Sequence, residues 1–251
     1  MSDIKDKLYS QSMDSIPDFI FDQKVVSVFD DMIQRSVPGY RMLISMVALL
    51  AQRYCQAGST LFDLGCSTGA NVIAVASALS KLNNTDESAK ACHIVAIDNS
   101  QAMLTQARKN YEKIWSTTNV SWRCEDICVS KVINASLVIM NYTLQFIPVS
   151  QRDTLIAKIA EGMLVGGAML LSEKISFPSQ DVDEEMNELY HSFKSANCYS
   201  DLEISQKRTA LENVLVRETI DTHMHRLQAA GFSNVMPLFQ SFNFVSFLAI
   251  K

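Results

Sequence analysis

Five apolar, β-rich runs recur along the chain, at 59–65, 93–99, 120–124, 135–141 and 166–174. Stretches with helical spacing of their apolar residues separate them, at 69–80, 100–114 and 150–162. That alternation restricts the fold more than any other feature, because such a pattern builds a parallel sheet with helices on its faces. The end of the chain differs: "NVMPLFQSFNFVSFLAIK" (234–251) holds two aromatic and β-branched runs joined by a short polar turn. A hairpin is expected there, which makes the sheet seven-stranded and mostly parallel. Helices at about 23–35 and 41–56, broken by "VPGY" (37–40), precede the sheet. Residues 181–231 read as three helices, the first two, at about 182–195 and 200–216, forming an insertion above the sheet's carboxyl edge. "KLNNTDESAK" (81–90) reads as a polar loop. One domain over 1–251 is expected, with a helical cover at about 18–57 and an insertion at about 181–216.

Composition removes several function classes. The longest apolar stretch, "MLISMVALLA" (42–51), is too short to cross a bilayer, and "MSDIKDKLYSQSMDSI" lacks the apolar core of a signal peptide. A cytoplasmic protein without membrane contact is expected. The six cysteines include no CxxC pair, and Cys124, Cys128 and His93 match no zinc spacing, so reduced core thiols and no metal are expected. A net charge of −5 gives no phosphate-tracking surface, so direct nucleic-acid binding is not expected.

The segment "FDLGCSTGA" (62–70) places Gly65 and Gly69 where the first strand turns into a helix. Ligands of open parallel sheets bind at such strand ends, and glycine permits both the tight turn and a close approach of backbone to ligand. A dinucleotide site wants G-x-G-x-x-G, yet Ser67 and Ala70 occupy its second and third glycine positions. Asp63 would also sit beside a pyrophosphate. A cationic ligand reverses that objection. S-adenosylmethionine (SAM) carries an ammonium and a sulfonium, and "DLGCSTG" resembles the first motif of the class I SAM-dependent methyltransferases. Asp98 ends the second strand in "VAIDNS", where a carboxylate accepts ribose hydroxyls, and Asp126 in "CEDI" follows the third. Taken singly, Asp98 also reads as a helix N-cap.

The segments "FDDMIQRSVPGY", "NYTLQF", "LSEK", "LEISQKRTALENV" and "FQSFNF" form a distinctive set beside that motif. Together they resemble the carboxy-S-adenosylmethionine synthases, over roughly residues 18–251. The resemblance implies a Rossmann-like α/β fold of the class I SAM methyltransferase type. It implies SAM as substrate, prephenate as carboxyl source and carboxy-SAM as product, for modification of tRNA wobble uridine by a second enzyme. By the same resemblance Arg208 binds carboxylates, Tyr40 is a ligand-binding tyrosine, and Gly65, Cys66 and Ser67 form the backbone cradle for the methionine end. Asp98 and Asn99 hold the ribose, Asp126 and Ile127 the adenine, and Asn141 makes a further ligand contact. The family further implies a homodimer, with the helices at 181–216 as contact and lid. Read from its neighbours alone, Arg208 is a surface residue pairing with Glu203 or Glu212. His191, His223 and His225 read as partly exposed or capping residues. Ser195 and Cys198 stand where relatives usually carry an arginine and a glycine, and Leu238 and Ser241 where tryptophan and cysteine are common. Two other readings stand beside this one: an ordinary SAM methyltransferase, and a ligand-binding subunit without chemistry.

Overall fold

The computed structural model describes residues 5–83, 92–115 and 120–251. Two helices, α1 (Gln23–Ser36) and α2 (Tyr40–Tyr54), lead into β1 (Thr60–Leu64), α3 (Ala70–Asn83), β2 (His93–Asp98), α4 (Gln101–Glu112) and β3 (Val120–Cys124). Then follow β4 (Ala135–Asn141), α5 (Val149–Glu161), β5 (Met163–Lys174), α6 (Gln180–Ala196), α7 (Asp201–Glu212), α8 (Ile220–Ala229), β6 (Asn234–Ser241) and β7 (Phe244–Ile250). The expected alternation and the terminal hairpin are both present. Of the expected loop at 81–90, residues 81–83 complete α3 and the rest lie outside the described residues.

The sheet runs β3-β2-β1-β4-β5-β7-β6. The first five strands pair in parallel, and β7 is antiparallel to both β5 and β6. The chain reverses direction across the sheet between β1 and β4, the position at which doubly wound folds open a ligand crevice. The hairpin's order follows from composition. In β7 nearly every residue is buried, so it needs cover on both faces and both edges. In β6 most residues are exposed and Pro237 lacks a donor, which suits only an edge.

Alternation along the strands splits the core in two. Phe62, Val95, Val138 and Met140 pack against α5 and α8 through Leu155, Ile159 and Leu227. Leu61, Ile94, Leu137 and Ile139 pack on the other face against α2 and α3 through Leu43, Val47, Val72 and Val75. A third cluster holds α1 by Val25, Phe29 and Met32 to Met103 and Ala210, so the cover is anchored to α4 and α7. Helix starts are chemically marked. Asp22 accepts from the backbone N–H groups of Lys24 and Val25, and Ser200 and Glu203 form a capping box at α7.

Some expectations change. His223 is a core residue, 1% exposed, packed against Phe247. Burial, with Arg226 next, lowers its pKa to about 4 and keeps the ring neutral. It is neither exposed nor a cap because α8 turns that position onto the sheet. Cys55, Cys66 and Cys92 are buried thiols, whereas Cys124 and Cys198 are exposed. Strand β5 begins at Met163 rather than near 166, and α7 ends at Glu212 rather than near 216.

Candidate active site

A cavity of about 590 Å³ opens above the carboxyl ends of the central strands, a volume in the range of small-molecule sites. Phe19 and Phe21 of the N-terminal segment, Phe29 and Met32 of α1, Tyr190 of α6 and Leu211 of α7 roof it. Gly65, Ser67, Asp98, Asn99, Asp126, Ile127 and Asn141 all line it, so seven of the ten sequence-predicted residues meet in one place. Cys66 lies beneath the loop, 3% exposed, and burial followed by Asp63 and Asp98 drives its thiol pKa well above the ordinary value. It is therefore no nucleophile. Tyr40 stands behind the wall at the start of α2. Burial, then Asp30 and Asp63, keeps its phenol protonated.

The first turn needs its glycine. Gly65 has φ 80, and a Cβ there would lie 2.2 Å from the Thr143 hydroxyl. Asp98 ties the turn to the next helix: its Oδ2 accepts from Ser67 N–H and its Oδ1 from Ser100 N–H, both at 2.9 Å. The N-cap of α4 is Ser100, not Asp98. A carboxylate has about four acceptor sites, so Asp98 keeps capacity for two hydroxyls. Beneath the floor a polar chain links the strands. Asn71 Nδ2 donates to Asp63 Oδ1 at 3.0 Å, Asn141 Nδ2 to Asn71 Oδ1 at 3.1 Å, and Ser172 Oγ to Asn141 Oδ1 at 2.7 Å.

Asp63 is fully buried, and its Oδ2 has no hydrogen-bond partner among the described residues. Burial first, and then Asp98, raises its pKa to about 7, against the pull of Asn71. Two carboxylates are thus held in low dielectric with no cation among the described residues acting on them, an arrangement that favours a positively charged ligand. The residues present fit SAM on that ground.

The opposite end has the reverse charge. Lys174 ends β5 and lines the cavity, its Nζ 4.5 Å from the ring centre of Tyr190 and 6.0 Å from that of Phe244. Lys194 stands over the same Tyr190 ring at 4.4 Å. Lys207 lines the cavity from α7, donating to Ser36 Oγ at 3.0 Å, with Asp6 Oδ2 at 4.0 Å. Burial lowers the pKa of Lys174 to about 7, helped by Arg217, Lys194 and Arg208. Burial lowers Lys194 and Lys207 to about 8. Arg208, the residue singled out in the sequence, is exposed on α7 and does not line the cavity; its neighbour Lys207 does. It makes no ion pair with Glu203 or Glu212, and its charge acts on Lys174 and Lys194.

Sequence reasoning assigned no role to Lys174, Tyr190 or Lys207. The available signal for Lys174 was its place directly after an apolar strand run, the same signal that marked Asp98. Among the described residues no cluster of metal-ligating side chains is present, and no helix is long and apolar enough to cross a membrane.

Residues 61–167 match the methyltransferase domain family model. Among solved structures, magnesium protoporphyrin IX methyltransferase from Synechocystis PCC 6803 with bound SAH superposes with TM-score 0.59 at 14% identity, over 88% of this chain and 87% of that one. Human N-acetylserotonin methyltransferase in complex with SAM gives 0.57 at 15% identity, over 91% of this chain and 55% of that one. At these identities the likeness establishes the fold, a Rossmann-like SAM methyltransferase fold. Sequence relatives reach further. The carboxy-S-adenosyl-L-methionine synthase of Hahella chejuensis is 49% identical over 251 residues, covering 100% of both chains. That of Trichlorobacter lovleyi is 48% identical over 250 residues, covering 98% of each. With the strand-end carboxylates in place and identity sustained along the whole chain, this protein belongs to the carboxy-S-adenosyl-L-methionine synthase family.

Proposed function

We propose that this chain converts SAM and prephenate to carboxy-SAM and phenylpyruvate. The observation that carries the reading is the 49% identity to a carboxy-SAM synthase over the full 251 residues. The geometry agrees with it: a cavity with acids at one end and the ammonium groups of Lys174 and Lys207 at the other suits a cationic substrate beside an anionic one. In this reading prephenate loses CO2 and hydroxide as its ring becomes aromatic. The hydroxide removes a proton from the SAM methyl group and leaves as water. The resulting sulfonium ylide attacks the CO2, forming the new carbon–carbon bond. No side chain has to act as base or nucleophile.

The residues then have positioning roles. Gly65, Cys66 and Ser67 present the backbone cradle to the methionine end, with Tyr40 behind it. Asp98 and Asn99 take the ribose, Asp126 and Ile127 the adenine, and Asn141 makes a further ligand contact. Arg208 serves the new carboxylate. Phe19, Phe21 and Phe29 exclude bulk water, which would otherwise quench the ylide. The product goes to a separate enzyme that carboxymethylates tRNA wobble uridine, so this chain itself binds no nucleic acid and needs no metal. The proposal includes a cytoplasmic homodimer with α6 and α7 as contact and lid, each chain one SAM-binding unit.

Mass spectrometry of small molecules released by acid from the purified protein tests this reading. An ion one CO2 heavier than SAM is expected. SAM or S-adenosylhomocysteine alone would return the chain to ordinary methyl transfer.

A further inference from the structure

The proposed function names lining residues for the acidic end of the cavity, whereas the residue it names for the carboxylate, Arg208, does not line the basic end. Lys174 is the key group there. Strand register pairs Asn141 with Ser172, and Lys174 lies two residues further along the same face of β5. It therefore continues the row of strand-end residues that begins at Gly65 and Asp98. Its neighbour Glu173 faces the other way, accepting from Leu144 N–H and Gln145 N–H, and is no counter-ion. Asp183 is held by both terminal nitrogens of Arg217 at 3.0 Å. Every other charged group acting strongly on Lys174 is positive: Arg217, Lys194 and Arg208. Its immediate surroundings are aromatic, with Tyr190 from α6 and Phe244 from β7. Among the described residues, no carboxylate pairs with it.

A ring face repays only part of an ammonium's lost hydration, and a second ammonium on the same ring opposes the first. The arrangement is complete only when an anion enters between the cations. We infer that Lys174, supported by Lys194 across the shared Tyr190 ring, binds a carboxylate of the anionic co-substrate, with Tyr190 and Phe244 packing against that molecule's apolar part. The inference rests on the proposed function and names a residue for it other than Arg208.

Binding of an anion favours the protonated amine, so complex formation takes up a proton near neutral pH and weakens as pH rises past 7. Asp183, Lys194, Arg208, Arg217 and the Tyr190 phenol face the same amine; burial keeps that phenol protonated, so it does not titrate there.

The test is calorimetric titration of the SAM-saturated full chain with phenylpyruvate, and with phenylacetone, its uncharged analogue. Titrations run at pH 6.5 and 8.5 in buffers of different protonation enthalpy. The wild type should prefer phenylpyruvate, with proton uptake, and lose affinity at pH 8.5. Lys174→Met should lose about tenfold or more in phenylpyruvate affinity while SAM affinity stays within about twofold. Lys174→Arg should retain binding and flatten the pH profile. Wild-type phenylpyruvate affinity in Lys174→Met, or an unchanged pH profile in Lys174→Arg, overturns the inference. Carboxy-SAM formation tested in parallel separates the two levels. Turnover in Lys174→Met at the wild-type KM for prephenate overturns the inference and leaves the function standing. No carboxy-SAM from the wild type, with Lys174-dependent phenylpyruvate binding intact, overturns the function and leaves the anion site standing.

Discussion

The two ends of the cavity are opposite in charge and in how they are built. At the acidic end, Asp63 and Asp98 come from the carboxyl ends of β1 and β2 and Asp126 from the turn after β3, and Asp98 is fixed by two backbone N–H groups. At the basic end, Lys174 comes from β5, Lys194 from α6 and Lys207 and Arg208 from α7, and contacts to aromatic rings or a serine hydroxyl position the lysines. The first end is bound to the sheet and rigid by construction. The second is assembled from the sheet and from helices laid over it, so its geometry depends on how α6 and α7 sit. In the proposed function SAM occupies the first end. The second end is where a particular chemistry is chosen.

The sharpest break of the acidic end is Gly65→Ala. Left-handed backbone costs a side chain about 1–2 kcal/mol, and the added methyl would displace Thr143. SAM affinity measured by calorimetry should fall below detection while α/β content by circular dichroism persists. Asp98→Ala should weaken SAM and carboxy-SAM alike by about 1–3 kcal/mol. A loss confined to one ligand would mean that Asp98 does not hold their shared ribose.

Protonation sharpens the comparison further. Asp63 has its pKa raised to about 7 in the folded chain. Its stabilising contribution is full below its unfolded value near 4 and is lost as pH rises through 7. Lys174 has its pKa lowered from 10.5 to about 7. Unfolding takes up a proton there between pH 7 and 10.5, so stability rises with pH across that window and is lowest below it. The ligand-free protein should therefore show a shallow dip in denaturant-measured stability near neutrality. Asp63→Asn should lessen the decline on the acid side, to which buried Glu173 also contributes, and Lys174→Met the rise on the alkaline side, to which Lys194 and Lys207 also contribute. Occupancy by a cation and an anion together should fill the dip.

The smallest expected effect concerns the support of the basic end. Cys198, just past α6, has φ 65, a conformation that glycine adopts freely. Cys198→Gly should stabilise the chain by about 0.5–1 kcal/mol, read as a raised midpoint in urea.

These differences also explain what the sequence disclosed. Strand β1 with its glycine turn, Asp98 and Asp126 were legible because each carries its signal locally: an apolar run, then a glycine or an acid. The hairpin was legible from its aromatic and β-branched runs, but its order was not read. The placement of β7 inside and β6 at the edge follows from the burial of "FVSFLAI" and from Pro237. The basic end was not legible, because a lysine facing a cavity and a lysine facing water share the same helical spacing. Lys207 and Arg208 are adjacent, and only the rotation of α7 decides which of them lines the cavity. Local pattern gave His223 an exposed or capping role for the same reason, since its burial depends on how α8 docks on the sheet.

The proposed reaction joins CO2 from an anionic donor to SAM in this cavity. Incubating the purified protein with SAM and prephenate, and following products by mass spectrometry, tests it most directly. The account predicts equal amounts of phenylpyruvate and of an ion one CO2 heavier than SAM. S-adenosylhomocysteine as the only SAM-derived product, or SAM recovered unchanged beside intact prephenate, would contradict it.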